Sequence, residues 1–405
     1  MEIMNGHTKM TDIFKKSLEM HEKFKGKWEI KSKVPLDTLE DLSLYYSPGV
    51  AEPCKEIEKD VNNSYKYTNR GNTLAIITDG TAVLGLGDIG PEAAMPVMEG
   101  KSLLYKRFSN IDCLPLCINT KDPQEIINFA KLVAPSVGGI HLEDISAPRC
   151  VEIERTLLKE LDIPVFHDDQ HGTAIVVSAG IINACKLLGR KLEDLTVVVS
   201  GTGAAGSSII KNLAALGITK IRAYNRKGAL HKDNPESESY NFLSNEILEH
   251  IDPSYVYVNG SLEELIAGAD VFIGVSQAGL VTADMVKSMA KDPVIFGLAN
   301  PTPEIMPEIA LAAGAKIVGT GRSDYPNQVN NVLAFPGLLK GALDAKATTM
   351  NQEMITAAIH AIADSIPQSE LRTDYIVPSP FDLSVPEKVA KAVCETAIKM
   401  GVVRK

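Results

Sequence analysis

Near its middle the sequence runs Leu195-Thr-Val-Val-Val-Ser-Gly-Thr-Gly-Ala-Ala-Gly206, a β-branched segment followed at once by a Gly-x-Gly-x-x-Gly pattern. Residues 207–216 continue it with a helical composition. In dinucleotide-binding folds the first glycine makes a tight turn, the second admits a pyrophosphate, and the third packs helix against strand. Free N–H groups at the helix start then bind the phosphates. We therefore predict a dinucleotide site here, with a ligand-free tight turn as the alternative. The predicted cofactor-binding residues of this loop are Gly201, Thr202, Gly203, Ala204, Ala205 and Gly206.

Short apolar segments alternate with helical ones on both sides of this glycine loop. Predicted strands lie at 73–78, 82–86, 111–118, 137–142, 163–166, 195–199, 220–224, 270–275, 293–298 and 316–318. Predicted helices lie at 10–24, 92–107, 123–133 and 147–161, and Ser384-Val-Pro-Glu387 predicts a capping box before a last helix. Such alternation is typical of parallel α/β sheets. With 405 residues, we expect two domains. They are an N-terminal α/β domain over 1–161 and a Rossmann-like, doubly wound parallel-sheet domain with C-terminal helices over 162–405.

The second strand of the dinucleotide-binding unit ends at Tyr224-Asn225-Arg226-Lys227. NAD-selective versions of this fold place Asp or Glu here to bind the ribose 2′-hydroxyl. Asn225 has no charge, and Arg226 and Lys227 could pair with a 2′-phosphate. The pattern favours NADP over NAD, although use of both stays open and the basic residues could simply be solvated.

The charge balance restricts the partners. Lys and Arg number 41 and Asp and Glu 51, which gives a net charge of −10. An acidic chain repels phosphate backbones and anionic lipid, so we expect neither nucleic acid nor membrane as a partner. The six cysteines show no disulfide or metal spacing, and the N-terminus resembles no signal peptide. We expect a cytoplasmic protein with reduced thiols.

Two carboxylate pairs follow predicted strands: Glu143-Asp144 and Asp168-Asp169. Ligand sites of α/β proteins lie at such strand ends, and clustered carboxylates suit Mg²⁺ or Mn²⁺. Adjacent residues of an extended chain point apart, so both members of a pair reach one ion only if the chain turns there. For Asp144, helix capping is an equal alternative. His167 and His171 could form a zinc site, but hydrogen bonding within the site is the favoured interpretation.

Further motifs occur in order along the chain. They are Tyr45-Tyr-Ser-Pro-Gly-Val50, Thr78-Asp-Gly80, Leu84-Gly-Leu-Gly-Asp-Ile-Gly90, Glu99-Gly-Lys101, Leu142-Glu-Asp144, His167-Asp-Asp-Gln-His-Gly-Thr173, Ala299-Asn-Pro-Thr302 and Asn330-Asn331-Val332. With the glycine loop, they make the chain resemble the malic enzymes, in the short form of bacteria, archaea and some protists, over residues 42–341. The resemblance implies metal-dependent oxidative decarboxylation of L-malate to pyruvate and CO₂ with reduction of NAD(P). It also implies a homodimer.

The resemblance further implies a role for each matching residue. Tyr46 corresponds to a general acid, Lys101 to the general base, and Asp168 to a carboxylate that contacts this lysine. The implied metal ligands are Glu143, Asp144 and Asp169, and the implied amides that hold substrate or the nicotinamide ribose are Asn300 and Asn331. As a base, Lys101 needs a pKa lowered toward neutrality by burial or neighbours.

One position departs from the family pattern. Larger members have an arginine before the Leu-Gly-Leu-Gly-Asp run that binds a substrate carboxylate, and Ala82 stands there in this chain. Two alternatives to the oxidative activity stay open. One is non-redox decarboxylation of malate to lactate with retained cofactor, and the other is a catalytically silent nucleotide-sensing protein.

Overall fold

The computed structural model describes residues 5–83 and 85–404, and two β-sheets organise these residues. The strands are β1 (Thr73–Thr78), β2 (Asp112–Cys117), β3 (Gly139–Leu142), β4 (Val165–His167), β5 (Thr196–Ser200), β6 (Lys220–Asn225), β7 (Gly228–Ala229), β8 (Val271–Gly274), β9 (Val294–Gly297) and β10 (Ile317–Thr320). The first sheet has the order β2-β1-β3-β4 and is parallel throughout. The second has the order β10-β9-β8-β5-β6-β7, in which β7 alone is antiparallel. The predicted α/β class is confirmed.

Helices separate nearly all of the parallel strands. They are α1 (Asn5–Phe24), α2 (Leu39–Tyr45), α3 (Ala51–Lys59), α4 (Ser64–Tyr67), α5 (Pro91–Ser109), α6 (Pro123–Val133), α7 (Arg149–Glu160), α8 (Asp168–Leu188), α9 (Ala204–Ala215), α10 (Phe242–Ile247), α11 (Leu262–Ile266), α12 (Ala283–Ser288), α13 (Pro307–Ala312), α14 (Phe335–Asp344), α15 (Gln352–Ala363) and α16 (Ser384–Met400). In the second sheet the order reverses beside β5, which pairs with both β6 and β8. Such a reversal opens a crevice at the carboxyl ends of the strands.

One hydrophobic core runs from the first sheet to the second, and α8 lies within it. The core joins Leu74 and Ile76 of β1 to Val197 and Val199 of β5. Helix α8 is buried on nearly every side, as its continuous apolar sequence requires. By length and composition alone this helix could cross a membrane, but 72% of its most apolar window is buried inside the protein. It is therefore the central core helix, and its N-terminus carries Asp168 and Asp169.

The first sheet continues past residue 161. Strand β4 pairs with β3, with Ile140 opposite Val165 and Leu142 opposite His167. Helix α8 starts directly after β4 and leads to β5 of the second sheet. The division of the chain at 161 and 162 stays a prediction.

Two local predictions are wrong. Residues 82–86 form no strand: Val83 makes only an isolated bridge to Gly87, although Leu84 lies outside the described residues. Gly85 and Gly87 have φ of +78° and +79°, a left-handed conformation incompatible with a strand. The capping box at Ser384 is also absent. Ser384 is the first residue of α16, and its N–H donates to the Asp382 carboxylate instead.

Candidate active site

Lys101 lies at the centre of a buried polar cluster at the carboxyl ends of β3 and β4. It projects from α5, and its Nζ donates to the Asp168 carboxylate and lies 3.2 Å from Oε1 of Glu143. The ring centroid of Phe335 is 4.6 Å from the same nitrogen. Glu143 follows β3 and Asp168 follows β4, and these strands are parallel neighbours. Their carboxyl ends therefore bring two carboxylates to one lysine.

Beside Lys101, three carboxylates converge. Oxygen atoms of Glu143, Asp144 and Asp169 all lie within 4.8 Å of one another. The chain turns where the sequence required a turn, since Asp144 has a φ of +55°. Its N–H donates to Oδ2 of Asp169 over 2.8 Å. Oδ2 of Asp144 is buried and has no hydrogen-bond partner among residues 5–83 and 85–404. An oxygen-only donor set with an unsatisfied buried carboxylate fits a hard divalent cation such as Mg²⁺ or Mn²⁺.

The electrostatics of these carboxylates agree with a cation site. Burial raises the pKa of Glu143 to about 7, against the attraction of Lys101. Burial and repulsion between the carboxylates raise the pKa of Asp144 and of Asp169 to about 8 each. Groups that resist ionisation in this way are stabilised as anions by a nearby positive charge.

The protein residues alone do not give Lys101 the lowered pKa that it needs to act as a base. Burial would lower the pKa, but Asp168 and Glu143 together outweigh burial and raise it. Lys101 is therefore an ammonium ion in this arrangement. It becomes a base only when the negative charge around it is offset.

The structure decides two alternatives that the sequence left open: helix capping by Asp144, and a zinc site at His167 and His171. Asp144 does not cap a helix, because α7 begins at Arg149 after Pro148 with no side-chain cap. His167 and His171 do not converge on one metal within the described part of the chain. Instead, Nε2 of His171 hydrogen-bonds the Glu154 carboxylate at 3.0 and 3.1 Å. The His167 ring is fully buried and has no hydrogen bond to any residue that the structure describes, and its Nε2 lies 3.6 Å from Oδ2 of Asp169.

Sequence reasoning missed two residues behind Glu143. Oη of Tyr105 lies 2.7 Å from Nδ1 of His141, and Nε2 of His141 lies 2.5 Å from Oε2 of Glu143. Burial lowers the pKa of His141 to about 3, so its ring is neutral. The neutral ring then carries its proton on Nε2 toward Glu143 and accepts the tyrosine O–H at Nδ1. The available signal was spacing, because residues 141 and 143 of an extended segment share a face.

Asn331 joins the lysine cluster, whereas its implied role in holding substrate or the nicotinamide ribose stays a prediction. Its Nδ2 donates to Oδ2 of Asp168 over 3.1 Å, and its Oδ1 accepts from Oγ1 of Thr173 over 2.9 Å. Gly172 allows this approach. A Cβ atom on Gly172 would lie 2.1 Å from Oδ1 of Asp168 and 2.8 Å from the Asn331 side chain.

Two implied site residues lie apart from the cluster. The Tyr46 side chain is 67% exposed at the end of α2. Asn300 is exposed in the loop after β9. Neither side chain has a hydrogen bond or ion pair to Lys101 or the acidic residues, as far as the structure describes the chain. Their roles stay predictions.

The glycine loop has the geometry of a phosphate site. Gly201 has a φ of +103°, and a Cβ on it would lie 2.6 Å from the Val275 carbonyl oxygen. A Cβ on Gly206 would lie 1.8 Å from the Gly201 carbonyl oxygen. A Cβ on Gly203 would meet nothing within 4 Å, so this glycine faces open space where a pyrophosphate could approach. The surroundings of the three glycines are thus compatible with the predicted dinucleotide site, and the cofactor-binding role of the loop stays a prediction.

A cavity of about 600 Å³ adjoins this loop. It is lined by Gly201, Thr202 and Gly203, and also by Ala147 and Pro148, which lie shortly after the acidic pair Glu143-Asp144. The cavity therefore extends from the dinucleotide loop to the loop between the acidic pair and α7.

The polar residues at the end of β6, which are Asn225, Arg226 and Lys227, differ in their surroundings. Asn225 donates to Oγ1 of Thr202 over 2.9 Å and accepts from the Lys227 N–H over 2.8 Å. The Lys227 ammonium donates to the backbone carbonyl and hydroxyl of Ser239 at 2.5 and 2.7 Å. The Arg226 guanidinium lines the cavity and is exposed, with no hydrogen bond or ion pair in the described ranges.

Comparisons with known proteins cover nearly the whole chain. A family model described as the malic enzyme N-terminal domain matches residues 25–158, and one described as the malic enzyme NAD binding domain matches residues 170–398. The chain is 54% identical over 388 residues to the bifunctional malic/malolactic enzyme of Bacillus subtilis, covering 96% of this chain and 94% of that protein. It is 51% identical over 401 residues to the NAD-dependent malic enzyme of Geobacillus stearothermophilus, covering 98% and 81%. It is 43% identical over 415 residues to the NADP-dependent malic enzyme of Halomonas elongata, covering 98% and 96%.

Solved structures agree. The crystal structure of the NAD-dependent malic enzyme from Thermotoga maritima matches with a TM-score of 0.90 at 47% identity, covering 94% of this chain and 99% of that one. The malic enzyme from Pyrococcus horikoshii matches with a TM-score of 0.92 at 42% identity, covering 97% and 92%.

Proposed function

The chain belongs to the malic enzyme family, and we propose that it oxidises L-malate at C2 and decarboxylates it to pyruvate and CO₂ while NAD or NADP is reduced. One observation carries this proposal. A buried lysine, bonded to Asp168 and Glu143, lies beside a three-carboxylate cluster, and the loop that follows Glu143 and Asp144 lines the dinucleotide cavity through Ala147 and Pro148. A silent nucleotide sensor would have no need of these buried charges, which are costly to keep.

Each residue of the site has its own role in the proposed reaction. Lys101 receives the proton of the 2-hydroxyl group, and Asp168, bonded to Nζ, orients the amine and holds its charge. The glycine loop would hold NAD(P), whose nicotinamide would supply the hydride acceptor for C2. Asn331 fixes Asp168 from the other side. Tyr46 supplies the proton to C3 in our assignment, because a phenol O–H suits an enolate carbon.

Glu143, Asp144 and Asp169 are the residues that would hold the metal. A divalent cation held there would supply Lewis-acid polarisation of the C2 oxygen and would offset the carboxylate charge that keeps Lys101 protonated. The His141 ring, bonded to Glu143 and Tyr105, orients that ligand.

A second candidate activity has a specific observation in its favour. One close relative is named as a bifunctional malic/malolactic enzyme. The same site could reduce the pyruvate formed back to lactate before the cofactor leaves, which conserves the hydride and yields lactate and CO₂ with no net redox change.

One assay separates these activities. The protein is mixed with L-malate, Mn²⁺ and either NAD or NADP, and reduced cofactor, CO₂ and lactate are measured. Reduced cofactor equal to CO₂ is expected for the oxidative activity, and lactate equal to CO₂ for the malolactic one. If neither reduced cofactor nor lactate forms, the result contradicts both activities. Lys101→Ala is expected to abolish turnover while cofactor binding, followed by fluorescence, is retained.

For the cofactor we propose NADP, with NAD also accepted. Arg226 is an exposed cation in the cavity, whereas the Lys227 ammonium is already bonded to Ser239. Arg226 is thus the group that would meet a 2′-phosphate. Both NAD- and NADP-dependent relatives are known.

We further propose a homodimer in the cytoplasm. Large apolar side chains in the N-terminal helices are exposed, which is unusual for a monomer surface. They are Ile13, Phe14, Leu18, Phe24, Leu39 and Leu44. A second copy of the chain would bury them. Six unpaired cysteines agree with a reducing compartment.

A further inference from the structure

Glu154 is a buried carboxylate outside the lysine and metal cluster. It projects from α7 and is only 4% exposed. Its Oε1 accepts the backbone N–H of His167 over 2.9 Å, and its Oε2 accepts Nε2 of Gln170 over 2.9 Å. Nε2 of His171 lies 3.1 and 3.0 Å from the two oxygens. One carboxylate thus receives donors from three residues of a five-residue segment.

These three residues flank Asp168 and Asp169. His167 is the N-cap of α8, but its side chain caps no N–H group. Glu154 instead binds the backbone just before the two aspartates and the two side chains just after them. It therefore fixes the first turn of α8 on both sides of the residues that hold Lys101 and the metal.

The basic residues near Glu154 on α7 and α9 form ion pairs with another carboxylate. Arg155, next to Glu154 on α7, pairs with Glu246 at 2.5 Å, and Lys211 of α9 donates to the same carboxylate at 2.7 Å. Burial would raise the pKa of Glu154, but the His171 ring and the His167 N–H together lower it below the usual value. Glu154 thus remains an anion, and within the described residues its carboxylate bonds go to the turn at 167–171.

We propose that Glu154 is a positioning residue that sets the ligand geometry of the metal site and the contact between Asp168 and Lys101. The inference rests on the proposed metal-dependent function. Partners that orient metal ligands from behind contribute roughly 10- to 100-fold to metal affinity or activity. A displacement of about 1 Å at such a site costs on the order of 100-fold in rate.

Three variants test this: Glu154→Ala, Glu154→Gln and, as a matched control, Glu152→Gln, which changes an exposed carboxylate of the same helix. Mn²⁺ binding to the protein without malate is measured by electron paramagnetic resonance, and NAD(P) binding by fluorescence. Glu154→Ala is expected to weaken Mn²⁺ binding by about 10-fold or more. Glu154→Gln keeps one acceptor oxygen and should be intermediate. Neither should change the cofactor Kd, and Glu152→Gln should match the wild type.

The contrary results are equally clear. Wild-type Mn²⁺ affinity and kcat in a folded Glu154→Gln protein would overturn the inference, as would a lower Tm with unchanged Mn²⁺ affinity. If Glu154→Ala does not fold, Glu154→Gln decides. If neither folds, Gln170→Ala and His171→Ala, which each remove one donor, are held to the same criterion. A wild-type protein that binds no Mn²⁺ would contradict the proposed function itself.

Discussion

Gly172 shows how a single missing methyl group shapes the site. It lies inside α8, where glycine is about 1 kcal/mol less favourable than alanine. A Cβ there would collide with Asp168 and Asn331. We expect Gly172→Ala to lower kcat on the order of 100-fold while the protein stays folded, since the carboxylate must leave Lys101.

The control for this variant is Gly180→Ala on the same helix. A Cβ on Gly180 would meet the Phe296 ring at 3.0 Å and Val377, away from Lys101. It should reduce Tm and leave the kcat of the folded protein near the wild-type value. A Gly172→Ala enzyme with normal kcat would show that the close approach of Asp168 is dispensable.

Arg226 gives a second prediction at this scale. Removing its charge should weaken the hold on a 2′-phosphate and leave the adenine and pyrophosphate contacts intact. Arg226→Ala is therefore expected to raise KM for NADP by about 10-fold and to change KM for NAD little. Lys227→Ala should have the smaller effect, since Ser239 already engages that ammonium. Equal changes for both cofactors would refute this assignment.

Individual residues also show where the sequence becomes uninformative. The family resemblance implies that Asp168 contacts Lys101, and the structure contains this contact. The pKa of Lys101 could not be predicted, because it depends on how closely Glu143 and Asp168 approach it in three dimensions. Glu154 and Tyr105 were missed because their partners lie 13 and 36 residues away in sequence.

At the level of helices and strands, the alternating pattern predicts the fold well. Strands β3 and β4 end in acidic pairs, and their parallel pairing brings those pairs together. The strand predicted at 82–86 is not formed, because the positive φ angles of Gly85 and Gly87 are incompatible with a strand despite the strand-like composition. The capping box predicted at Ser384 is absent, because the nearby Asp382 carboxylate accepts the Ser384 N–H group.

The raised pKa values of the three proposed metal ligands predict how Mn²⁺ affinity depends on pH. The pKa values of about 7 for Glu143 and about 8 for Asp144 and Asp169 mean that these ligands hold protons below those values. A cation must displace the protons, so Mn²⁺ affinity should rise with pH, by up to about 10-fold per unit for each proton released. The rise should extend from pH 6 to about pH 8 and then level off.

Calorimetry in two buffers of different ionisation enthalpy would count the released protons, and titrations between pH 6 and 8.5 would give the affinities. Affinity that is independent of pH, with no proton release, would mean that these carboxylates are ionised without the metal.

For the whole molecule, the exposed N-terminal apolar side chains predict self-association. Sedimentation velocity should give about twice the chain mass of 43.7 kDa. The double variant Phe14→Glu, Leu18→Glu places charge where the second copy would pack, and it should sediment as a monomer. A wild-type protein that remains monomeric at micromolar concentration would contradict the dimer.

The net charge of −10 acquires a specific meaning at the same scale. Malate is a dianion, and Glu143, Asp144, Asp168 and Asp169 would repel it. A divalent cation bound by Glu143, Asp144 and Asp169 would convert the acidic cluster into a site for an anion. Catalysis should therefore depend strictly on the metal.

The most direct test follows malate-dependent reduction of NAD(P) and CO₂ release after exhaustive chelation and again after Mn²⁺ is restored. Both products should disappear on chelation and return with the metal, while cofactor binding, measured by fluorescence, stays constant throughout. Turnover that survives thorough chelation would contradict the assignment of Glu143, Asp144 and Asp169 as an essential metal site.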